Sequence, residues 1–248
     1  MTDVHDRIRE FWDRDAATYD LSASHAVSDP LEATAWRAAL RRSLPDPPAT
    51  VLDAGAGTGS LSLLAAELGH RVTSLDLSEA MLSKARDKAE ARRLELSFEV
   101  GSAMTPPPGP FGAVMERHVL WTMPDPVGAL SAWREVTAPS GRLVLFEGVW
   151  GSTTPVHRAR RAAAAAMRRV TGVGDHHHAS YPDDVLAALP LARMPSPSPV
   201  VEAVYDAGWS GVRIQRLRDV EWAARLHERW PLGWLEHVPR YALIADRG

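Results

Sequence analysis

The sequence predicts an α/β fold in which helices cover both faces of a doubly wound, mostly parallel sheet. The first indication is the segment VLDAGAGTG at 51–59, where apolar Val51 and Leu52 end a buried strand and closely spaced glycines follow. The second is an apolar run at 71–75 that stops at Asp76 after one intervening helix. The third is the regular alternation of predicted strands and helices up to Glu147.

Two helices are predicted before the glycine turn. They span 8–19 and 30–43. The spacing of apolar residues in the second helix directs Leu31, Trp36 and Leu40 toward the core. The run PDPP then ends this helix ahead of the first strand, because proline cannot continue a helix.

Strands and helices alternate between the glycine turn and Glu147. A helix at 60–68 ends at Gly69, a common helix terminator, and a helix at 79–93 begins after Ser78, an acceptable N-cap. Further strands are predicted at 96–100, 111–115 and 141–147, with a helix at 126–137 and a tight turn, PSG, at 139–141. Elements in this order predict a parallel sheet.

The alternation stops after Glu147. The expected order from there is a helix rich in alanine and arginine, a histidine-rich loop and a proline-spaced stretch within 148–199, then a helix at 200–207, a strand at 212–217, an irregular insertion and a last strand at 240–245. Four tryptophans of this part are expected in the core of a cap, or alternatively in an aromatic-lined acceptor pocket: Trp209, Trp222, Trp230 and Trp234.

Composition and charge exclude several classes of protein. The chain has 248 residues, 45% of them hydrophobic, and a formal net charge of −3, which suits one large domain and gives no bulk electrostatic reason to bind nucleic acid or membrane. It contains no cysteine, so disulfides, thiolate zinc sites and a cysteine nucleophile are excluded. No apolar run approaches the roughly 20 residues of a membrane span. The charged segment 1–15 is unlike a signal peptide, so we expect a cytoplasmic protein.

The glycine turn and Asp76 together predict a nucleoside site. Gly55, Gly57 and Gly59 let the backbone turn tightly and approach a ligand without Cβ collisions, and the following helix presents free N–H groups at its start. A carboxylate at the tip of the second strand can accept hydrogen bonds from both hydroxyls of a ribose. The alternative role for Asp76 is that of a helix N-cap.

The spacing of the glycines separates the possible nucleoside cofactors. Dinucleotide folds use G-x-G-x-x-G, whereas here the third glycine is Gly59 and Ser60 follows it. Asp53, two residues before the first glycine, suits a ligand that carries an ammonium or sulfonium charge rather than a pyrophosphate. The pattern resembles the class I S-adenosylmethionine-dependent methyltransferases, specifically the small-molecule branch often called type 11, and the resemblance covers about Phe11 to Gly148.

This resemblance implies a Rossmann-like sheet of seven strands, of which the last is antiparallel, with N-terminal helices and a C-terminal insertion cap over the substrate. It implies three parts: N-terminal helices and an S-adenosylmethionine-binding core at 1–148, a helical substrate cap at 149–210, and the last two strands with a Trp-rich insertion at 211–248. The implied cofactor-binding residues are Tyr19, Asp53, Gly55, Gly57, Gly59, Asp76, Leu77, Met81, Gly101, Ser102, Ala103 and Arg117.

Alternative roles remain open for several of these residues. Tyr19 and Met81 are equally suited to core packing, and Arg117 to a structural hydrogen bond. Ser102 stands where many relatives place an acid that accepts a bond from the adenine amino group. A serine hydroxyl also accepts a hydrogen bond, but more weakly than a carboxylate.

Two residues at the ends of strands are candidates for a general base. His118 follows the fourth strand and titrates in the useful range, with helix capping or core packing as its alternative. Glu147 ends the fifth strand and faces the same cleft, either as another base or as an anchor for a cationic acceptor. Methyl transfer is an in-line displacement in which positioning supplies much of the rate. A base helps when the acceptor is a hydroxyl or a protonated amine.

The resulting hypothesis is an S-adenosylmethionine-dependent methyltransferase that acts on an O or N atom of a small molecule in specialised metabolism. The segment ERHVLW at 116–121 lacks the acid or Asn, Pro-Pro and aromatic pattern of enzymes that methylate base amines, which disfavours a nucleic-acid acceptor. No nucleic-acid or membrane partner is expected, and the chain is expected to be a monomer or homodimer. The alternatives are an RNA methyltransferase, a non-catalytic S-adenosylmethionine-binding module and a nicotinamide-dependent oxidoreductase.

Adjacent histidines invite a metal site at His176, His177 and His178. Three neighbours in one extended segment do not converge easily on one ion, and no well-spaced acid accompanies them. We therefore predict no metal. A cap loop that contributes one histidine to the acceptor site is the alternative.

Overall fold

A computed structural model describes residues 4–21, 25–149, 154–171, 181–192, 194–227, 230–235 and 238–248, and it confirms the predicted fold class. The strands are β1 Thr50–Ala54, β2 Arg71–Asp76, β3 Ser97–Val100, β4 Phe111–Arg117, β5 Thr137–Gly148, β6 Ser210–Arg216 and β7 Arg240–Asp246. The helices are α1 Val4–Asp15, α2 Pro30–Ser43, α3 Ser60–Glu67, α4 Glu79–Arg92, α5 Pro126–Val136, α6 Pro155–Thr171, α7 Asp183–Ala187, α8 Ser198–Asp206, α9 Arg218–His227 and α10 Leu232–Leu235.

The seven strands form one sheet in the order β3-β2-β1-β4-β5-β7-β6. Neighbours from β3 to β5 pair in parallel, and β7 lies antiparallel between β5 and β6, as the resemblance implied. The order reverses between β1 and β4. This is the point at which open α/β sheets bind ligands, beyond the carboxyl ends of their strands.

Successive residues of each central strand belong to different cores, because side chains alternate across a sheet. Leu52 of β1 packs with α5 and α8, where Trp133 and Val204 are buried. Val51 packs on the other face with α2, α3 and α9, where Trp36 is fully buried. The prediction that Leu31 lies in the core is wrong, since this side chain of α2 is 48% exposed.

Capping side chains fix where three of the helices begin. Asp29 accepts hydrogen bonds from the backbone N–H groups of Leu31 and Glu32 at the start of α2. Asp125 does the same for α5 and Ser78 for α4. Each cap satisfies backbone donors that have no partner within the helix. The helices that flank the ligand edge of the sheet therefore start at defined positions.

The prediction of an irregular insertion after β6 is wrong, because this segment contains α9 and α10. Val220 and Ala223 of α9 are buried against the core that contains α2, so a helix there buries apolar area that a loop would expose. Three of the tryptophans expected in a cap core are instead at the surface, with exposed fractions of 51% for Trp222, 82% for Trp230 and 38% for Trp234. Trp209 is buried and donates its indole N–H to the Leu130 carbonyl oxygen at 3.0 Å.

Two further boundaries differ from those expected. The first helix begins at Val4 and ends at Asp15, and Tyr19 lies in a short 3₁₀ turn beyond it. The PSG turn lies inside the span of β5, where pairing with β4 shifts between Thr137 and Arg142. His176, His177 and His178 lie outside the described residues. Among the helices described, none combines the length and hydropathy that a bilayer span requires.

Candidate active site

A cleft of about 710 Å³ opens at the carboxyl ends of β1, β2 and β4. This volume includes solvent at the open mouth of the cleft. It is lined by residues of the glycine turn, the ends of β2 to β4 and helix α1: His5, Ile8, Trp12, Tyr19, Gly55, Gly57, Asp76, Leu77, Met81, Ser102, Ala103, Arg117, His118, Val119, Thr122 and Met123. Most residues expected at a cofactor site are thus brought together here. Gly59, Gly101 and Glu147 do not line this cleft, and Asp53 lines an adjoining cavity.

The glycines of the turn meet different requirements. Gly55 has φ +78°, and a Cβ there would lie 2.4 Å from Cγ2 of Val119. Gly57, at φ +55°, has almost open space at that position and so leaves the backbone accessible from the cleft. Gly59, at φ +79°, would place a Cβ 2.9 Å from Cβ of Ala85. Gly59 therefore allows α3 and α4 to pack closely, and only the first two glycines border the cleft.

Asp76 ends β2 with its carboxylate at the wall of the cleft. One oxygen, Oδ2, accepts the Gly57 N–H at 2.7 Å, and the other, Oδ1, accepts the Ser78 N–H at 2.9 Å. Ser78 itself caps α4, so the N-cap role is not that of Asp76. Burial raises the pKa of Asp76 to about 6, and the two backbone hydrogen bonds oppose this shift.

Asp53 lies behind the turn at the end of β1. The Ser62 hydroxyl donates to its Oδ2 at 2.5 Å, and burial raises the pKa of Asp53 to about 6 against this hydrogen bond and the charge of Arg117. The side chain lines a second cavity of about 240 Å³, which shares Tyr19 and Arg117 with the main cleft. A negative charge is thus available beside the turn, as the sequence predicted.

Arg117, at the end of β4, contacts the segment before α2 and α2 itself. Its Nη2 donates to the His25 carbonyl oxygen at 2.8 Å, and its guanidinium lies 5.6 Å from the centre of the Trp36 ring. The His25 ring stacks on Tyr19 at 4.4 Å. Within the described residues, buried Nη1 of Arg117 has no hydrogen-bond partner. One donor of this cation is therefore available to a ligand in the cavities beside it.

Residues after β2 and β3 form the opposite side of the cleft. Leu77 and Met81 contribute apolar surface, and Met81 is buried. The Ser102 hydroxyl accepts the Met104 N–H at 3.1 Å, which holds its loop in place. The carbonyl oxygen of Ala103 accepts the indole N–H of Trp133 at 2.7 Å. The loop after β3 is therefore fixed from within the core.

His118 stands at the far end of the cleft in a left-handed backbone conformation, at φ +60°. Its N–H donates to the Phe146 carbonyl oxygen at 3.2 Å, and its Nδ1 lies 3.3 Å from Oε2 of Glu147. Burial, together with the charges of Arg117 and Arg240, holds the pKa of His118 well below its usual range. The imidazole is therefore neutral at neutral pH, with one nitrogen directed to a carboxyl group.

Two buried acids lie beneath this histidine. Glu147 is 1% exposed, and burial and the charge of Glu116 raise its pKa well above the ordinary range. Glu116, which the sequence did not single out, accepts the Val119 N–H at 2.6 Å and the Leu120 N–H at 3.3 Å through Oε2. Burial raises the pKa of Glu116 to about 8 despite these bonds. The only hint of Glu116 in the sequence was the position of an acid next to the end of a buried strand.

Helix α1 covers the cleft, in line with the N-terminal helices that the resemblance implied, but its lining residues were not singled out in the sequence. His5, Ile8 and Trp12 line the cleft from this helix. The Ser78 hydroxyl donates to Oδ1 of Asp13 at 2.6 Å, which ties α1 to the start of α4. The spacing of Ile8 and Trp12 indicated one apolar helix face, but not which surface that face would cover.

Comparison with known proteins agrees with this geometry. Residues 52–145 match the methyltransferase-domain family model of type 11. The ubiquinone biosynthesis O-methyltransferase of Xanthomonas campestris pv. campestris is 30% identical over 189 residues, which cover 74% of this chain and 75% of that protein. The demethylmenaquinone methyltransferase of Thermus thermophilus is 38% identical over 117 residues, 45% of this chain and 53% of that protein.

Solved structures agree on the fold. Geranyl diphosphate C-methyltransferase from Streptomyces coelicolor A3(2), in complex with S-adenosyl-L-homocysteine, superposes with a TM-score of 0.65 at 16% identity and covers 100% of this chain and 99% of its own. The cofactor predicted from the sequence, a methyl donor and not a dinucleotide, agrees with the family of these relatives. The chain belongs to the class I S-adenosylmethionine-dependent methyltransferases, and S-adenosylmethionine is its cofactor.

Proposed function

We propose that this enzyme transfers a methyl group to an oxygen or nitrogen atom of a small molecule, with His118 as the general base. The single observation that carries the proposal is the cleft itself, in which Asp76 and Gly57 lie at one end, His118 lies at the other, and α1 forms a roof. One chamber of this kind holds a nucleoside and a small acceptor side by side.

The residues present fit the cofactor. Asp76 offers carboxylate oxygens for the ribose hydroxyls, and Gly57 has open space where a side chain would block the approach. Nη1 of Arg117, which is buried without a partner among the described residues, suits the carboxylate of the methionine part. The wall formed by Leu77, Met81, Ser102 and Ala103 suits the adenine ring.

The bound cofactor supplies a methyl carbon that its sulfonium sulfur activates toward nucleophiles. His118 is placed to take the proton of an acceptor hydroxyl or ammonium at Nε2, while Glu147 holds Nδ1 from behind. With the cofactor bound, loss of that proton to Nε2 would leave the acceptor atom with the lone pair that bonds to the methyl carbon, and the carbon–sulfur electron pair would remain with sulfur. The neutral state of His118 at neutral pH leaves a nitrogen lone pair available for this step.

The roof of the cleft favours a small acceptor. The cleft has an apolar lining from Ile8 and Trp12 of α1 and from Val119 and Met123 after β4. Tyr181, which belongs to the proposed 149–210 cap, packs on Trp12 at 6.1 Å between ring centres. A largely apolar cleft covered by α1 disfavours access of a folded RNA to the transferring methyl group. Similar proteins named for ubiquinone biosynthesis and for trans-aconitate methylation act on small molecules according to those names.

The test combines calorimetry of S-adenosylmethionine binding with detection of S-adenosylhomocysteine across phenols, alcohols, carboxylic acids and amines. We expect binding, and turnover with at least one acceptor class. Total RNA at several salt concentrations is the comparator, because contacts to phosphates weaken as salt rises. Binding without turnover on any acceptor would support a non-catalytic module. Salt-sensitive methyl incorporation into RNA would overturn the small-molecule proposal.

A further inference from the structure

Glu116 and Glu147 lie on the same face of the sheet, on neighbouring strands. In the parallel pairing of β4 with β5, Glu116 is opposite Leu145. Glu147 follows two residues later in β5, so its side chain points to the same side as that of Leu145. The exposed fraction is 0% for Glu116 and 1% for Glu147. Two buried carboxyl groups therefore lie on one face of neighbouring strands, and that of Glu147 contacts His118.

Each of these carboxyl groups has one oxygen with a partner and one without. Oε2 of Glu116 accepts the Val119 and Leu120 N–H groups, and Oε2 of Glu147 lies beside Nδ1 of His118. Within the described residues, Oε1 of Glu116 and Oε1 of Glu147 have no hydrogen-bond partner. A buried polar atom without a partner is costly, and two adjacent carboxylates repel each other. One proton held between the two Oε1 atoms removes both penalties.

We propose that Glu116 and Glu147 share one proton between their Oε1 atoms, and that this acid pair selects the tautomer of His118. With the proton on the Glu116 side, Oε2 of Glu147 accepts Nδ1–H of His118. The lone pair is then on Nε2, the nitrogen that the proposed function uses. Glu116 is accordingly a positioning residue that acts through Glu147 and His118, and its effect on turnover rests on the proposed base role of His118.

A second proton on the pair reverses the arrangement. A protonated Glu147 donates its O–H to Nδ1, and the imidazole then carries its own hydrogen on Nε2, where it can no longer accept a proton. The number of protons bound to the two buried carboxyl groups therefore decides which nitrogen of the neutral His118 can accept a proton. This logic parallels the pairs of like carboxyl groups whose proton affinities are driven apart by proximity.

The charged groups around the pair favour retention of at least one proton on it at neutral pH. Burial raises the pKa of both acids, and the charge of Asp53 on β1 raises that of Glu116 further, whereas Arg117 lowers it. On the other side, Tyr241 of β7 is the register partner of Glu147, and burial and both acids raise its pKa. Arg240 and His25 act on His118 and lower its pKa.

The experiment measures the ring nitrogen resonances of His118 by NMR in ¹⁵N-histidine-labelled protein, together with the pH profile of kcat/KM. The His118→Ala variant assigns the signals among the ten histidines. In the wild type we expect a hydrogen on Nδ1 near neutral pH, and its transfer to Nε2 as the pair takes up a second proton. The value of kcat/KM should fall over the same pH interval, because the acid limb of its profile then follows the second protonation of the pair.

Glu116→Gln is the decisive variant. The amide oxygen can still accept the Val119 and Leu120 N–H groups, and the amide N–H can donate to Oε1 of Glu147. In the wild type Glu116 is already neutral when Glu147 takes up the second proton, so the variant replaces an O–H donor to ionised Glu147 by a weaker N–H donor. Glu147 is then protonated at higher pH, and the tautomer change and the acid limb should both move up by about one pH unit. An unchanged tautomer and an unchanged profile would overturn the proposal.

Tyr241→Phe is the matched control, because it removes the hydroxyl of the residue that pairs with Glu147 in the sheet while the ring stays. We expect it to leave the tautomer and the acid limb in place. A shift as large as that of Glu116→Gln would assign the proton to the phenol and overturn the pair. If His118→Ala retains full turnover, the base role fails, whereas the nitrogen resonances of the wild type still report the pair.

Infrared spectroscopy of the wild type tests the shared proton without any variant at position 116. Asp53 and Asp76, with pKa values of about 6, are ionised at pH 8. A protonated carboxyl band that persists at pH 8 and is absent from Glu147→Gln is expected. A wild-type protein without such a band would contradict the proposal even if Glu116→Gln failed to fold.

Discussion

The two ends of the cleft treat their carboxyl groups in opposite ways. At the Asp76 end, both oxygens accept backbone N–H groups, from Gly57 and Ser78. At the His118 end, Glu116 and Glu147 each have a buried oxygen with no partner among the residues described. A carboxylate that the backbone has fixed is a reliable acceptor for ligand hydroxyls. An incompletely satisfied pair is suited to hold or release a proton.

The difference assigns binding to one end and chemistry to the other. A change at the Asp76 end should alter cofactor affinity more than the rate of a saturated enzyme. A change at the His118 end should do the reverse. Four substitutions, the last two compared as a pair, test this division, and we take them in order of expected effect.

His118→Ala should lower kcat by about 100-fold to 10,000-fold, the range typical of a lost general base. S-adenosylmethionine affinity, measured by calorimetry, should stay within about twofold of the wild type, because the cofactor contacts of the other end remain. His227→Ala is the control, since this exposed histidine of α9 lies beside Asp29 and does not line the cleft. Wild-type turnover in His118→Ala would transfer the base role to Glu147 or show that none is needed.

Asp76→Ala should weaken S-adenosylmethionine binding by about 1.5 to 3 kcal/mol, or roughly 10-fold to 150-fold, as expected for a lost charged hydrogen-bond partner. At saturating cofactor, kcat should change little. Asp46→Ala, at an exposed aspartate in the loop before β1, gives the baseline. Unchanged affinity in Asp76→Ala would remove this residue from the cofactor site.

Gly57→Ala and Gly59→Ala should differ in what they damage. Both glycines have positive φ, which costs about 1 to 2 kcal/mol for an alanine. Only Gly59→Ala adds a close contact, with Ala85, so it should lose about 1 kcal/mol more of unfolding free energy in urea titration. Gly57→Ala should instead show the larger loss of cofactor affinity. Equal effects on stability and binding would remove the distinction between a packing glycine and a ligand glycine.

The Asp76 end could be predicted because it is local. Gly57 and Asp76 belong to one strand–helix–strand unit, and glycine spacing plus an acid at a strand tip carry its chemistry in a short stretch of sequence. The same reasoning found His118 and Glu147 as strand-end residues. It could not find the role of Glu116, because that role depends on the register of β4 against β5 and on complete burial.

Tertiary packing also decided the elements that were predicted wrongly. The apolar residues of α9 become meaningful only against α2, so the segment after β6 was expected to be irregular although it is helical. The exposed Trp222 and Trp230 show that aromatic content alone does not identify a core. The roof formed by α1 likewise depends on docking, here through the bond between Ser78 and Asp13.

One side chain makes the two ends mechanically dependent on each other. Val119 fills the space that the missing side chain of Gly55 leaves, and its own N–H is held by Glu116. A movement of the turn at Gly55 would displace Val119 and so alter the hydrogen bond from the Val119 N–H to Glu116. Val119 is thus a direct physical link between the nucleoside end and the proton-handling end of the cleft.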